Sequence, residues 1–224
     1  MRNAILLSNS LVVTTDNAGA IGEKPQDVVS VSNELAAYFT ARVNLLEQWA
    51  AGAEPELILL SNFSGDASWA GYVKGISQVF DEIGQPTPQI QGSTESNMPT
   101  LQSGLAISMI GNRFREDDNE DLHWFAYGKP LVGHEVLEHA EAVANLGVVY
   151  KGIQKGIVER VWPVGSKGIA AECARIFPNT TIGLSLPLNK TAGPATVVLI
   201  GVKRENVTQA QNLFGQFFEK IIIK

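Results

Sequence analysis

The chain has 224 residues, enough for one large domain or two small ones. A hydrophobic share of 45% can fill a core and excludes disorder, and a net charge of −6 without a basic cluster argues against a nucleic-acid partner. The single cysteine, Cys173, can form neither an intrachain disulfide nor a multi-cysteine zinc site. No segment is long and apolar enough to span a bilayer, and Met1-Arg2-Asn3-Ala4-Ile5-Leu6-Leu7-Ser8 is too briefly apolar for a signal peptide, so a cytoplasmic protein is expected.

In chain order, Ile5-Leu6-Leu7 and Leu11-Val12-Val13 predict short strands joined by the turn Ser8-Asn9-Ser10, with Thr14-Thr15-Asp16-Asn17 closing the second. A glycine-bearing loop covers residues 17–27. A helix follows over about 32–51, with Ala36, Phe39, Val43, Leu46 and Ala50 as its buried face and Gly52 as its stop. Leu57-Ile58-Leu59-Leu60 is a buried strand. Asp66 or Ser68 caps a second helix whose Trp69, Val73, Ile76, Phe80 and Ile83 step by four and three, and Gly84 ends it. Strands follow near Gln89-Ile90-Gln91 and over 105–110. Strands and helices in this order pack as α/β or α+β.

Residues 113–121 are charged and predict a solvated boundary, dividing the chain into domains 1–112 and 120–224. Regular structure is expected to resume over 122–127, with a helix over 134–145 and Gly147 after it, and a strand over 158–162. Gly165-Ser166-Lys167-Gly168 then opens a helix that runs to Ile176, with Ser166 as cap. Strands over 181–186 and 195–200 precede a last helix burying Val207, Ala210, Phe214, Phe217 and Ile221.

Asn44 and Glu47 are three apart and share a helix face beside the buried one. From spacing alone, an ordinary solvated and capped helix end explains them better than a ligand site. Asp16 alone is a common turn residue, and Gln91-Gly92-Ser93-Thr94-Glu95-Ser96-Asn97 alone is a polar loop. Backbone N–H groups at Gly165-Ser166-Lys167-Gly168 could cradle an anion beside Lys167, but the segment is not a Walker A loop, and a tight strand-to-helix turn explains it equally well. His134 and His139 are five apart, about 140° around a helix, and cannot share zinc as an i,i+4 pair would.

Taken in order, these elements resemble the ATP-binding superfamily of aminoimidazole ribonucleotide synthetase (AIR synthase, PurM-like), thiamine-monophosphate kinase, selenophosphate synthetase and the hydrogenase-maturation dehydratase. The family's Thr-Thr-Asp-Gly strand end falls on Asp16. Asn44-Leu45-Leu46-Glu47 resembles the kinase Asn-Leu-Ser-Asp with glutamate for aspartate, and Gly52-Ala53-Glu54-Pro55 reproduces the synthetase Gly-Ala-Glu-Pro. Gln91-Gly92-Ser93-Thr94 is similar to the family's Gly-Gly-Asp/Glu-Thr loop, but Ser93 stands where a third acid belongs. The family's glycine-rich arm has no counterpart before Ile5, and the second domain is short. The wording of 16–24, 36–43, 92–97 and 163–169 is most similar to the α-ribazole kinase branch.

The resemblance implies a ferredoxin-like sheet-and-helix ATP domain and a shortened C-terminal α/β domain. It implies ATP and Mg2+ as cofactors, with Asp16 and Glu47 on the metal. Asp16, Asn17, Asn44, Thr94, Glu95 and Lys167 would hold the nucleotide. It further implies phosphoryl transfer to a small nucleoside, α-ribazole, and a homodimer through the first-domain sheet, with neither nucleic acid nor membrane as partner. A synthetase with another substrate, or a catalytically silent nucleotide-binding protein of the same fold, are the alternatives.

Overall fold

The computed structural model describes residues 3–115 and 121–224. The chain divides into two compact units, Met1–Asp117 and Asp118–Lys224. The boundary expected over 113–121 falls partly on residues 116–120, outside the described ones. Of the rest of that stretch, Arg113 is paired rather than solvated: its N–H donates to the Ser10 carbonyl, and those of Phe114 and Arg115 donate to the Gly52 carbonyl.

The first unit contains β1 (Ile5–Leu6), β2 (Leu11–Gly19), β3 (Ile21–Gly22), β4 (Val29–Ser30), α1 (Asn33–Ala50), β5 (Ala53–Asn62), α2 (Trp69–Glu82), β6 (Gln89–Thr94) and β7 (Gly104–Arg113). Its main sheet has the order β1-β2-β7-β5-β6, with only β5 and β6 parallel. Alternation sends Val12, Thr14, Leu105, Ile107, Met109, Ile58, Leu60 and Asn62 to one buried face, under the helices. The other face is open.

Both helices form where their sequence signals stand. Ser32 caps α1, its Oγ accepting the Leu35 N–H at 3.1 Å, and Gly52 beyond its end takes φ +70°. Close packing of α2 on α1 requires glycine at position 75, where a Cβ would lie 1.9 Å from the Glu34 carbonyl oxygen. Lys74 pairs with Glu34 at 2.8 Å and Tyr38 donates to Glu82 at 2.6 Å across the same seam.

Several expectations are corrected. The strand expected to end at Asp16 continues to Gly19, and the loop expected at Gly92-Ser93-Thr94 is the end of β6, because both are laddered to neighbours the local sequence does not reveal. On α1, Phe39 and Val43 are only half-buried, while Thr40, Asn44, Glu47 and Gln48 are buried. Neither Asp66 nor Ser68 caps α2; a short 3-10 turn over Asp66–Ser68 leads into it, and Ser68 Oγ donates to the Gly65 carbonyl.

The second unit contains β8 (His123–Tyr127), α3 (Glu135–Glu138), α4 (Leu146–Gln154), β9 (Arg160–Pro163), α5 (Gly168–Ile176), β10 (Ile182–Gly183), β11 (Val198–Val202), α6 (Val207–Phe214), β12 (Phe218–Lys220) and β13 (Ile222–Ile223). Its antiparallel sheet runs β12-β8-β11-β9, and β10 pairs with β13. Trp124 and Ala126 pack with Ile169 and Cys173 of α5. Alternation sends Phe125 and Tyr127 to the opposite face, where Phe218 stacks on Phe125 at 4.4 Å and on Phe214 at 4.5 Å.

Here the expected helix over 134–145 is a single turn, α3, followed by a 3-10 turn over Ala140–Ala142. The longer helix starts after Asn145, whose Oδ1 caps the Val148 N–H at 2.8 Å, so Gly147 lies inside α4 instead of after a helix. The strand expected over 181–186 shrinks to β10, and the one expected at 195 begins at Val198. The last helix stops at Phe214 because Gly215 takes φ +60°; Phe217 lies in the turn before β12 and Ile221 between β12 and β13, outside the helix. No helix among the described residues is long and apolar enough to cross a membrane.

Candidate functional site

Strand register sorts the candidate residues by sheet face. Asp16 opposes Ile107, which opposes Leu60, which opposes Gly92; Ala18, Leu105, Asn62 and Thr94 form another such row. Both rows face the helices, since Ile107, Leu60, Leu105 and Asn62 are buried there. The row between them, Asn17, Ala106, Ser61 and Ser93, faces the open side. Asp16 and Thr94 therefore share a face and Asn17 does not join them. With three strand steps of ~4.8 Å between β2 and β6 and a two-residue offset of ~6.6 Å along the strands, Asp16 and Thr94 stand roughly 16 Å apart.

Helix α1 brings Asn44 and Glu47 to this face. Asn44 is 0% exposed, and its Nδ2 donates to the Ile107 carbonyl at 2.8 Å, on the residue opposite Asp16. Its own carbonyl accepts Thr14 Oγ1 at 3.4 Å. One turn later Gln48 Nε2 reaches Met109 O at 2.9 Å, Thr14 Oγ1 at 3.1 Å and Val12 O at 3.2 Å. Glu47 is 2% exposed, and its carboxylate accepts the Asn3 N–H and Nδ2–H at 3.4 and 3.2 Å. These side chains are more deeply placed than the partly shielded face the spacing implied.

The Asn44 Oδ1 and Gln48 Oε1 atoms are buried without a hydrogen-bond partner. A buried acceptor left unpaired costs about 1–3 kcal/mol, which a ligand or ion would offset. The oxygens the expected site would offer a hard cation are the Asp16 and Glu47 carboxylates and Asn44 Oδ1. Among the described residues, no group of three or more His, Cys, Asp or Glu gathers to hold a metal. Magnesium commonly takes one or two carboxylates and completes its shell with phosphate and water, so this donor set fits such an ion in chemistry.

Thr94 and Glu95 are organised by a residue the sequence did not single out. Asn62 Nδ2 donates to Thr94 Oγ1 at 3.1 Å and to the Gly65 carbonyl at 2.9 Å, its Oδ1 accepts Ser64 N–H and Ser68 Oγ–H at 2.9 Å each, and its carbonyl accepts the Glu95 N–H at 2.8 Å. The polar cluster after the apolar strand, Asn62-Phe63-Ser64-Gly65, was the available signal. Glu95 itself closes its own loop, Oε1 accepting the N–H groups of Asn97 at 2.7 Å and Met98 at 3.1 Å, and these bonds hold its carboxyl below the usual range. The other overlooked signal was the polar series Thr40, Asn44, Gln48 at helical spacing, which forms the sheet-facing seam.

Lys167 belongs to the second unit, exposed at the N-terminus of α5, where neither it nor Ser166 makes a side-chain cap. The loop packs closely on 188–190: Gly168, at φ +79°, leaves no room for a Cβ, which would meet the Leu188 carbonyl oxygen at 2.6 Å. The Gly168 and Ala170 N–H groups already donate to Gly165 and Leu188 carbonyls, so they are not open to an anion. Cys173 is buried within α5, and burial pushes its thiol up to about 11.

No protein-family model matches the chain, and no curated protein matches it. Solved structures do match. Thiamine monophosphate kinase from Aquifex aeolicus superposes with a TM-score of 0.66 at 11% identity, over 100% of this chain and 88% of that one. A chain of the HypE–HypF complex gives 0.65 at 15%, over 98% and 85%. Thermotoga maritima PurL complexed with AMPPCP gives 0.63 at 13%, over 99% of this chain. This chain spans 42% of that PurL chain's length. What the likeness establishes is the fold: from end to end, this chain has the mixed α/β fold of these PurM-like proteins.

Proposed function

We propose that the chain is an ATP- and magnesium-dependent phosphotransferase acting on a small nucleoside, with α-ribazole as the acceptor its motif wording favours. The observation that supports this best is the buried, unpartnered Asn44 Oδ1 on the carboxylate-bearing face of the first unit. The solved neighbours point the same way, since one is a thiamine monophosphate kinase and another, PurL, is complexed with AMPPCP.

In such a site the protein positions groups and neutralises charge. Asp16 and Glu47 are assigned to the metal, with Asn44 adding an amide oxygen. Magnesium, when bound, neutralises charge developing on the transferred phosphoryl group. Thr94, tied to Asn62, is assigned to the far side of the same face, with Glu95 on the loop that follows it. Asn17 and Ser93 lie on the open sheet face, which is assigned to a second copy of the chain.

A second reading, a nucleotide-binding protein without catalysis, is favoured by one observation: Glu95 is spent on its own loop and Ser93 faces away, and no group of three acids gathers among the described residues. Incubation with ATP, magnesium and α-ribazole tests the first reading, and α-ribazole phosphate is the expected product. Tight AMPPCP binding by calorimetry without any phosphorylated nucleoside would leave the second reading in its place.

A further inference from the structure

The second unit carries a cleft of about 280 Å³ that the reading above does not use. That volume lies just below the usual range of ligand pockets, about 300–1,000 Å³. Leu131, Pro130, Leu186 and Pro187 form an apolar wall, and Lys129, Lys190, Glu135, His139 and Glu141 supply the polar rim, with Glu141 Oε1 lying 3.9 Å from His139 Nδ1.

The charges on the rim are not equivalent. Lys190 Nζ lies 2.9 and 2.8 Å from the two oxygens of Glu135, and Glu135 Oε2 also accepts the Val132 N–H at 3.1 Å. The ammonium holds the Glu135 carboxyl below its usual range, so both charges of this pair are spent on each other. Lys129 differs: its Nζ sits 4.8 Å from the centroid of the Phe217 ring, with no carboxylate against it among the described residues. A ring face attracts a cation without neutralising it.

The backbone holding Lys129 is fixed. Its N–H donates to the Ala142 carbonyl at 2.9 Å, and the Leu131 N–H donates to the buried Thr196 Oγ1 at 3.1 Å. Glu141 is turned to His139, so on a rigid backbone beside an apolar wall Lys129 is the ammonium with no carboxylate in contact, which suits a compact ligand with an oxyanion at one end.

We propose that this cleft is a separate binding site for a small organic oxyanion, a phosphate or carboxylate on a compact apolar body, with Lys129 setting the anionic end. The site stands whether or not the chain transfers phosphoryl groups.

The test is a titration of the full-length labelled protein, following the amide resonances of Leu131, His139 and Ala142 with phenyl phosphate, benzoate and inorganic phosphate. Saturable shifts are expected with phenyl phosphate or benzoate, and whichever binds more tightly identifies the head group. Inorganic phosphate, lacking the apolar body, is expected to bind about tenfold more weakly. Lys129→Gln is expected to weaken binding by about tenfold or more, while Lys129→Arg and the distant Lys155→Gln retain it. Absence of saturable shifts with both organic probes, or undiminished binding by a folded Lys129→Gln, overturns the proposal. Inorganic phosphate binding as tightly as phenyl phosphate overturns the role given to the wall.

Discussion

Asn44 and Ile107 are joined by a hydrogen bond of 2.8 Å from the Asn44 amide to a strand carbonyl, in the middle of the sheet and opposite Asp16. The same side chain leaves its oxygen buried and unpaired. One half of the amide thus serves the fold, and the other half is available to the proposed site.

Asn44→Ala separates these two roles. Loss of the donor leaves the Ile107 carbonyl short of a partner and costs roughly 1–3 kcal/mol, read as a lower thermal midpoint. If Asn44 also serves a magnesium nucleotide, AMPPCP affinity falls by about tenfold or more in magnesium and changes little in EDTA. Equal affinities for wild type and variant in magnesium would confine Asn44 to structure.

Glu47→Gln keeps shape and an acceptor for Asn3 while removing the charge. Magnesium-dependent turnover is expected to vanish with the far-ultraviolet spectrum unchanged, and Glu47→Ala is expected to do the same. Full activity in a folded variant refutes the metal assignment.

Gly75→Ala probes the helix pair. A Cβ there would overlap the Glu34 carbonyl oxygen, which is backbone and cannot swing aside. The expected loss is about 1–3 kcal/mol, from overpacking that forces α1 and α2 apart. Urea unfolding measures it, and a neutral result would show that the helices have slack.

Asp27 gives the first unit a pH dependence. Burial pushes its carboxyl up, but bonds from Ser103 Oγ–H, the Ser103 N–H and the Lys24 N–H outweigh this and bring it below 3.8. A carboxyl lowered on folding contributes stability above its unfolded value, and that contribution disappears as pH falls through the folded value. Asp27→Asn should unfold at lower urea than wild type near neutral pH, with the gap closing below pH 3.8. A gap independent of pH would mean that shape, not charge, fixes the loop.

The open sheet face carries Leu59, which is 38% exposed, beside Val13, Leu57 and Ile110. If a second copy covers this face, Leu59→Glu should shift sedimentation from dimer to monomer, because an unpaired charge cannot be buried cheaply. A wild-type chain that sediments strictly as a monomer refutes this assignment.

Much of the first unit was legible from local signals. Ser32, Gly52 and Gly84 mark helix ends because capping and positive φ are properties of single residues and their immediate neighbours. The second unit was harder. Asn145 starts a helix there instead of ending one, and Gly215 stops α6 before two further aromatic and apolar positions that keep helical spacing. Periodicity continues through a break that the backbone does not follow, so spacing alone placed Phe217 and Ile221 on the wrong kind of element.

The sequence by itself determined the element types around Asp16 and Asn44 and the motif wording that suggested a nucleotide. Only the tertiary structure decided which of the candidates meet. Strand register put Asp16 and Thr94 on one face and Asn17 and Ser93 on the other, since a side chain's face depends on alternation within a ladder whose partners lie about 30 to 90 residues away. Burial of Asn44, Glu47 and Gln48 likewise followed from which helix face met strand backbone, where amides can pair with carbonyls and the small side chains of α1 permit close approach.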